Sequence, residues 1–232
     1  MYKYETHLHT APVSKCARAD VRENLTAYKE RGYDGVFITN HFLDGNIDID
    51  RSLPYREKLE FYLSDYYDAL KIGKELGIKV FFGIETTYSD GICSGTDFLI
   101  YGLSPDWYRE HPEIMDMPRT DQLTFFAENG AFIIQAHPFR DRPYSPYLRL
   151  FPKHIHAVET QNACNSDFEN SLADSFADAY KLIKTAGSDN HSAGAQKNLA
   201  AMVSDTPIES EADFIDKLKS GKLRIFKDEQ TK

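Results

Sequence analysis

The chain opens with Met1-Tyr-Lys-Tyr-Glu-Thr-His-Leu-His-Thr10. Tyr2, Tyr4 and Thr6 alternate with Lys3 and Glu5, and alternation with aromatic and β-branched residues favours an extended strand. Successive side chains of a strand point to opposite faces, so His7 and His9 project the same way at its C-terminal end. Two imidazoles aimed at one point suit a divalent metal better than a core. A lone histidine there would more often be structural.

Outward from this strand, short apolar runs alternate with longer amphipathic ones. Val21 to Arg31 reads as a helix, with Asp20 as N-cap, Glu23 three residues later, and Gly32 as the stop. Val36 to Thr39 is a short buried strand, Pro54 to Leu76 a helix ending at Gly77, and Lys79 to Ile84 the next strand. Further strands are expected at Phe98–Tyr101, Ala131–Gln135, Ile155–Glu159, Lys184–Gly187 and Leu223–Phe226. Helices are expected at Arg119–Asn129, Asp167–Leu182 and Glu209–Lys219. Such alternation indicates an α/β protein with a mainly parallel sheet.

Polar, chemically capable residues follow nearly every strand. The first gives His7 and His9, the second Asn40 and His41, and Phe-Phe-Gly-Ile-Glu gives Glu85. His137 and Glu159 follow two more, and Ser-Asp-Asn-His supplies Asp189 and His191. Convergence on one rim is how barrel enzymes build their sites, whereas an open sheet would be expected to carry a Gly-rich phosphate loop, which is absent. The expected fold is a distorted, somewhat small (β/α) barrel. Nitrogen and carboxylate donors of this kind suit zinc, manganese or iron, and the two oxygens of Glu85 allow it to bridge two ions.

The formal net charge of −9 and the lack of a long Lys/Arg run argue against tracking long nucleic acid. Cys16, Cys93 and Cys164 are an odd number without a CxxC pair, so no disulfide framework is expected and a reduced cytoplasm is the default. No apolar run approaches the roughly 18 residues of a membrane span, and no signal peptide is read at the start. The 232 residues suffice for one large domain with a continuous core.

The motifs His7-Leu-His9-Thr10, Thr39-Asn40-His41, Gly83-Ile-Glu85, Ala136-His137-Pro138-Phe139 and Ser188-Asp189-Asn190-His191 together resemble the PHP (polymerase and histidinol phosphatase) metal-dependent phosphoesterases. The resemblance covers about residues 4 to 192. It implies a distorted (β/α)7 TIM-like barrel, one domain over 1–232, with two or three divalent ions at the C-terminal rim. By that resemblance His7, His9, Glu85 and Asp189 hold one ion, His41 and His191 a second, and Glu85 with His137 another. There are departures: Glu5 stands where the family usually has Asp. Val13-Ser-Lys-Cys-Ala17 lacks the acid or histidine that often completes the His41/His191 site. Thr96-Asp-Phe-Leu-Ile100 lacks a usual histidine, with Asp97 as the group that could substitute.

The activity implied is hydrolysis of a small phosphomonoester, in the manner of histidinol-phosphate or nucleotide phosphatases. Metal-bound hydroxide would attack phosphorus while Asp189 or His191 handles a proton. Arg140 is the leading phosphate-binding candidate and Arg18 the second, with Lys15 and Arg142 behind them. Gln161 and Asn162 could bind a polar group or merely turn the chain. His111, His154 and His156 read as surface or capping residues, and Cys164 as inert. Two other readings stand: an amidohydrolase-like C–N hydrolase with Asp189 as base, and a non-enzymatic metal-holding domain.

Overall fold

The opening alternation does form a strand. In the computed structural model, which describes residues 1–89, 95–143, 145 and 147–229, β1 spans Tyr2–Leu8. Cys93 lies outside the described residues. Helix α1 (Val21–Glu30) starts at Asp20, whose carboxylate accepts from the Glu23 N–H while Glu23 returns a bond to the Asp20 N–H. This reciprocal cap satisfies donors that a helix start leaves open. Strand β2 (Gly35–Ile38) follows, then α2 (Tyr55–Leu76), which stops where Gly77 adopts φ 66°.

The remaining elements are β3 (Lys79–Tyr88), β4 (Thr96–Tyr101), α3 (Pro105–Glu110), α4 (Arg119–Glu128), β5 (Phe132–Ala136), β6 (Ala157–Asn162), α5 (Asp167–Tyr180) and β7 (Ile183–Gly187). They close with β8 (Leu199–Ser204), α6 (Glu211–Lys219) and β9 (Leu223–Asp228). Among the described residues the strands make one sheet in the order β7-β6-β5-β4-β3-β2-β1-β8-β9. The sheet curls nearly shut: the His9 N–H donates to Asn190 O at 3.0 Å and the Asn190 N–H to His7 O at 3.2 Å, tying the end of β7 to β1.

The distorted (β/α)7 barrel implied by the resemblance is met in part: among the described residues the nine strands form one nearly closed sheet with six α-helices. Strands β1 to β7 follow one another around the curl, but β4 pairs antiparallel with both β3 and β5. Among the described residues no helix lies between β3 and β4, nor between β5 and β6. The β8–β9 hairpin extends the sheet beside β1, where β8 pairs antiparallel. Strand β8 was not expected at all, because Leu-Ala-Ala-Met-Val reads as readily as helix.

The strands curl around aromatic packing. Phe37 of β2 lies 4.7 Å from Phe81 of β3 and 4.5 Å from Phe214 of α6, measured between ring centroids. All three are buried. Offset and tilted rings at this spacing add to the area they bury. Among the described residues no helix is long and apolar enough to cross a membrane.

Candidate metal centre

His7 and His9 leave β1 with their Nε2 atoms 3.1 Å apart. Their outer nitrogens are braced: His7 Nδ1 lies 3.0 Å from Glu159 Oε1, and His9 Nδ1 3.1 Å from Ser14 Oγ. Such partners fix ring orientation and leave Nε2 directed inward. Gly187 permits the close approach. A Cβ there would stand 2.5 Å from both Glu159 Oε1 and His7 Cβ, so only glycine lets β7 lie against this pair.

Glu85 on β3 reaches the centre with both oxygens. Its Oε1 lies 3.1 Å from His7 Nε2 and 3.2 Å from His137 Nε2. Its Oε2 lies 3.3 Å from His9 Nε2 and 2.7 Å from His41 Nδ1. Asp189 Oδ1 stands 3.3 Å from His9 Nε2 and 3.6 Å from His7 Nε2. Asp189 and His137 have φ 52° and 31°, a left-handed turn at the strand end that non-glycine residues rarely adopt.

These spacings fit a metal. Donors held tetrahedrally at about 2.0–2.1 Å from an ion stand roughly 3.3 Å apart. The measured separations among His7, His9, Glu85 and Asp189 fall at 3.1–3.6 Å. Glu85 Oε2 and Asp97 Oδ1 are buried yet accept no well-aligned hydrogen bond, as carboxylate oxygens awaiting a cation would. Beside the group of His7, His9 and Glu85, three further groups have donors within 4.8 Å of one another: His9 with His41 and His191, His7 with His137 and Asp189, and Glu85 with Asp97 and His137.

The field of the site favours positive charge. Burial alone would lower the pKa of His7, but Glu159, Asp189 and Glu85 outweigh it and raise it well above the ordinary value. Burial lowers His9, and the neighbouring His191 and His41 lower it further. Burial would raise Asp189, but Arg140 and His7 hold it well below the usual carboxylate range. An excess of carboxylate that pulls protons onto imidazole attracts a divalent ion by the same potential.

The seven residues expected as ligands (His7, His9, His41, Glu85, His137, Asp189 and His191) therefore meet at one place. Around them a cleft of about 840 Å³ is lined by Cys16, Arg18, Asp97, His137, Arg140 and His191, among others. Arg140 Nη2 lies 2.5 Å from Asp189 Oδ2, and its Nε donates to Asn165 Oδ1 at 2.9 Å. Arg18 is exposed at the cleft edge, and its backbone N–H donates to His191 O at 2.7 Å.

Several residues given no definite role in the sequence prove to be braces. Glu159 also accepts from the His137 N–H at 3.1 Å and from Asn162 Nδ2 at 2.8 Å. Asn40 Oδ1 accepts from the Thr10 N–H and the Ser14 hydroxyl at 2.7 and 2.9 Å. Glu5 accepts from the His7 and Ser188 N–H groups, both at 2.8 Å, and from the Tyr28 hydroxyl at 2.7 Å. Itself a residue of β1, it ties that strand to Ser188 and Tyr28.

Other candidates turn elsewhere. Lys15 pairs with Asp48 at 3.8 Å, Arg142 with Glu169 at 3.0 Å, and His111 with Glu113 at 2.8 Å. His156 stacks on Phe132 at 5.1 Å and accepts from the Ile133 N–H. The Cys164 thiol donates to Asp189 O at 3.4 Å. Cys16 is the residue that sequence reasoning passed over. One cysteine in a loop carries no pattern, yet its thiol lies against His191 and His41. Burial would raise that thiol, but those two contacts outweigh it and bring it down to about 6.

Comparison with known proteins adds to this geometry. Residues 167–223, which include Asp189 and His191, match the PHP_C family model, described as PHP-associated. No curated protein matches the chain in sequence. Among solved structures, the chain is similar to a two-domain protein from Bacteroides vulgatus containing a predicted PHP-like metal-dependent phosphoesterase. The TM-score is 0.68 at 13% identity, over 97% of this chain and 64% of that one. The chain thus spans less than two thirds of that protein's length.

A candidate metal-dependent phosphoesterase from Bifidobacterium adolescentis aligns with TM-score 0.59 at 13% identity, over 93% of this chain and 95% of that one. An amidohydrolase from Chromobacterium violaceum, solved with sulfate and no metal, aligns with TM-score 0.57 at 12% identity, over 83% and 89%. At these identities the likeness speaks for the fold alone. The shared fold, the PHP-associated segment and the ordered motifs all support the resemblance of this chain to the PHP family.

Proposed function

We propose that this protein is a metal-dependent hydrolase of small phosphomonoesters. The observation that carries the reading is the placement of buried Glu85, whose two oxygens face His7 and His137 on one side and His9 and His41 on the other. One carboxylate can then serve two neighbouring cation positions. His7, His9, Glu85 and Asp189 would hold one ion, His41 and His191 a second, and Glu85, His137 and Asp97 a third. Zinc, manganese or iron suits these donors. Bound divalent ions supply Lewis-acid charge and an activated water at such a site.

The protein's own groups then have separate tasks. Arg140, anchored on Asn165 and Asp189, presents a planar fork that matches phosphate oxygens, with Arg18 at the opening of the same cleft. Asp189, held ionised, acts as an anion in the centre rather than as a proton donor. His191, whose Nδ1 lies 2.8 Å from Asp189 O, has only Nε2 left, which would hold the second ion or, where that position is empty, pass a proton to the departing alkoxide. The size of the cleft and the chain's acidic balance favour a compact phosphorylated substrate over long nucleic acid.

The test is release of inorganic phosphate from an aryl phosphate by protein stripped of metal and then resupplied with Mn²⁺ or Zn²⁺. Turnover that returns only with metal is expected; no turnover under any metal would sink the proposal. C–N hydrolysis is the second reading, prompted by the amidohydrolase of like fold. It makes no use of the two arginines, so Arg140→Ala with Arg18→Ala would leave such an activity standing.

A further inference from the structure

Asp65 is a buried carboxylate on α2, a helix that supplies none of the expected ligands. It accepts from the Thr10 hydroxyl at 2.7 Å, from Asn40 Nδ2 at 3.2 Å and from the Val13 N–H at 3.4 Å. Thr10, Ser14 and Asn40 are buried with it. We propose that Asp65 is a positioning residue for the metal centre: through Asn40 and Ser14 it fixes the His9 tautomer that leaves Nε2 bare. The inference rests on the metal-centre reading and extends it to a residue that bonds no ligand side chain directly.

Two fixed ends set the direction of every proton in this chain of bonds. The Thr10 N–H can only donate, so the Asn40 amide atom 2.7 Å away is its oxygen. The Asn40 Nδ2 therefore faces the other way, donating to Thr10 Oγ1 at 2.8 Å and to the Asp65 carboxylate. Asn40 Oδ1 has no proton to give, so the Ser14 hydroxyl 2.9 Å away must donate to it. The His41 N–H occupies one lone pair of the same hydroxyl at 3.0 Å. Ser14 is left to accept from His9 Nδ1 at 3.1 Å. A neutral His9 then carries its single proton on Nδ1 and a lone pair on Nε2.

That lone pair points at other acceptors. His9 Nε2 lies 3.3 Å from both Glu85 Oε2 and Asp189 Oδ1, and 3.1 Å from His7 Nε2. Glu159 Oε1, itself an acceptor, takes the Nδ1 proton of His7 in the same way at 3.0 Å. Lone pairs of two imidazoles and two carboxylates thus converge, which a cation between them satisfies. Without Asp65 the Asn40 amide is no longer held one way round, and the proton of His9 is free to settle on Nε2, facing Glu85 and Asp189. A metal would then have to displace it.

The experiment reads the ring nitrogens of His9 by NMR in full-length, metal-stripped protein carrying isotope-labelled histidine, at alkaline pH, with His9→Gln to assign the signals. The wild type should show a protonated Nδ1 and a bare Nε2. Asp65→Asn and Ser14→Ala should move the proton to Nε2, and Ser14→Thr, which keeps the hydroxyl, should return it to Nδ1. Ser14→Ala removes a single oxygen and decides the matter if Asp65→Asn does not fold. Zn²⁺ affinity, titrated against a chelator, should fall roughly tenfold or more in the first two variants and recover in Ser14→Thr. A wild-type proton on Nε2, or a proton that stays on Nδ1 in Ser14→Ala or in folded Asp65→Asn, overturns the inference while zinc binding keeps the metal centre standing. A wild type with the expected tautomer that binds no zinc overturns the metal centre itself.

Discussion

Arg140 Nη2 lies 2.5 Å from Asp189 Oδ2, so the cation expected to take phosphate is tied to a carboxylate expected to take metal. Asn162 Oδ1 and Asn165 Oδ1 hold the same guanidinium at 3.1 and 2.9 Å. The arginine is therefore oriented before any substrate arrives, and less side-chain freedom is lost on binding.

Replacing it tests that coupling. Arg140→Ala should raise KM for a phosphomonoester and weaken inhibition by inorganic phosphate, each by about tenfold to a hundredfold, the worth of one charge-assisted contact. Arg140→Lys should recover only part of the loss, since an ammonium lacks the planar fork. Steady-state kinetics with phosphate as competitor decides the matter. An unchanged phosphate inhibition constant would remove Arg140 from the substrate site.

Glu159 touches the centre only through others. Glu159→Gln should lower metal affinity about 10–100-fold by loosening His7, the usual cost of losing an outer partner. Glu85→Gln removes a direct donor and should exceed that loss. Metal titration against a competing chelator compares the two, and equal losses would contradict the order argued here.

Stability should rest heavily on the aromatic packing beneath the site. Phe37→Ala should cost about 3–5 kcal/mol in denaturant unfolding, because a fully buried ring between Phe81 and Phe214 leaves a cavity that the strands cannot collapse to fill. A loss below about 1 kcal/mol would mean that this packing is not tight.

Acid sensitivity has a specific source at the start of α5. Burial would raise Glu169, but bonds from the Asp141 and Ser166 backbones, the Ser166 hydroxyl and nearby Arg142 outweigh it and bring the carboxyl from 4.5 down to about 2. A depressed carboxylate stabilises the fold fully above its unfolded value of 4.5. That contribution is lost as pH falls from there toward 2. Glu169→Gln should flatten this part of the acid-unfolding profile while lowering stability near neutrality. An acid limb identical to wild type would refute the assignment.

The strands, the caps and the donor residues at strand ends were legible because each rests on short-range rules. Alternation puts His7 and His9 on one side, and Asp20 with Glu23 closes a helix start within four residues. What reads weakly is any element whose local preference is ambiguous. The run at β8 has little strand propensity of its own, and its pairing with β1 and β9 decides it.

The sequence alone thus determined that histidines and acids would gather after successive strands, since period and spacing are properties of the chain itself. Tertiary structure alone decided that β4 runs against both neighbours and that Asp97 comes beside Glu85 and His137. It also decided that a loop cysteine comes to face His41 and His191. The physical reason is that these contacts join residues about ten to more than a hundred positions apart. Their relative placement is set by how the sheet curls and packs, which no local pattern encodes.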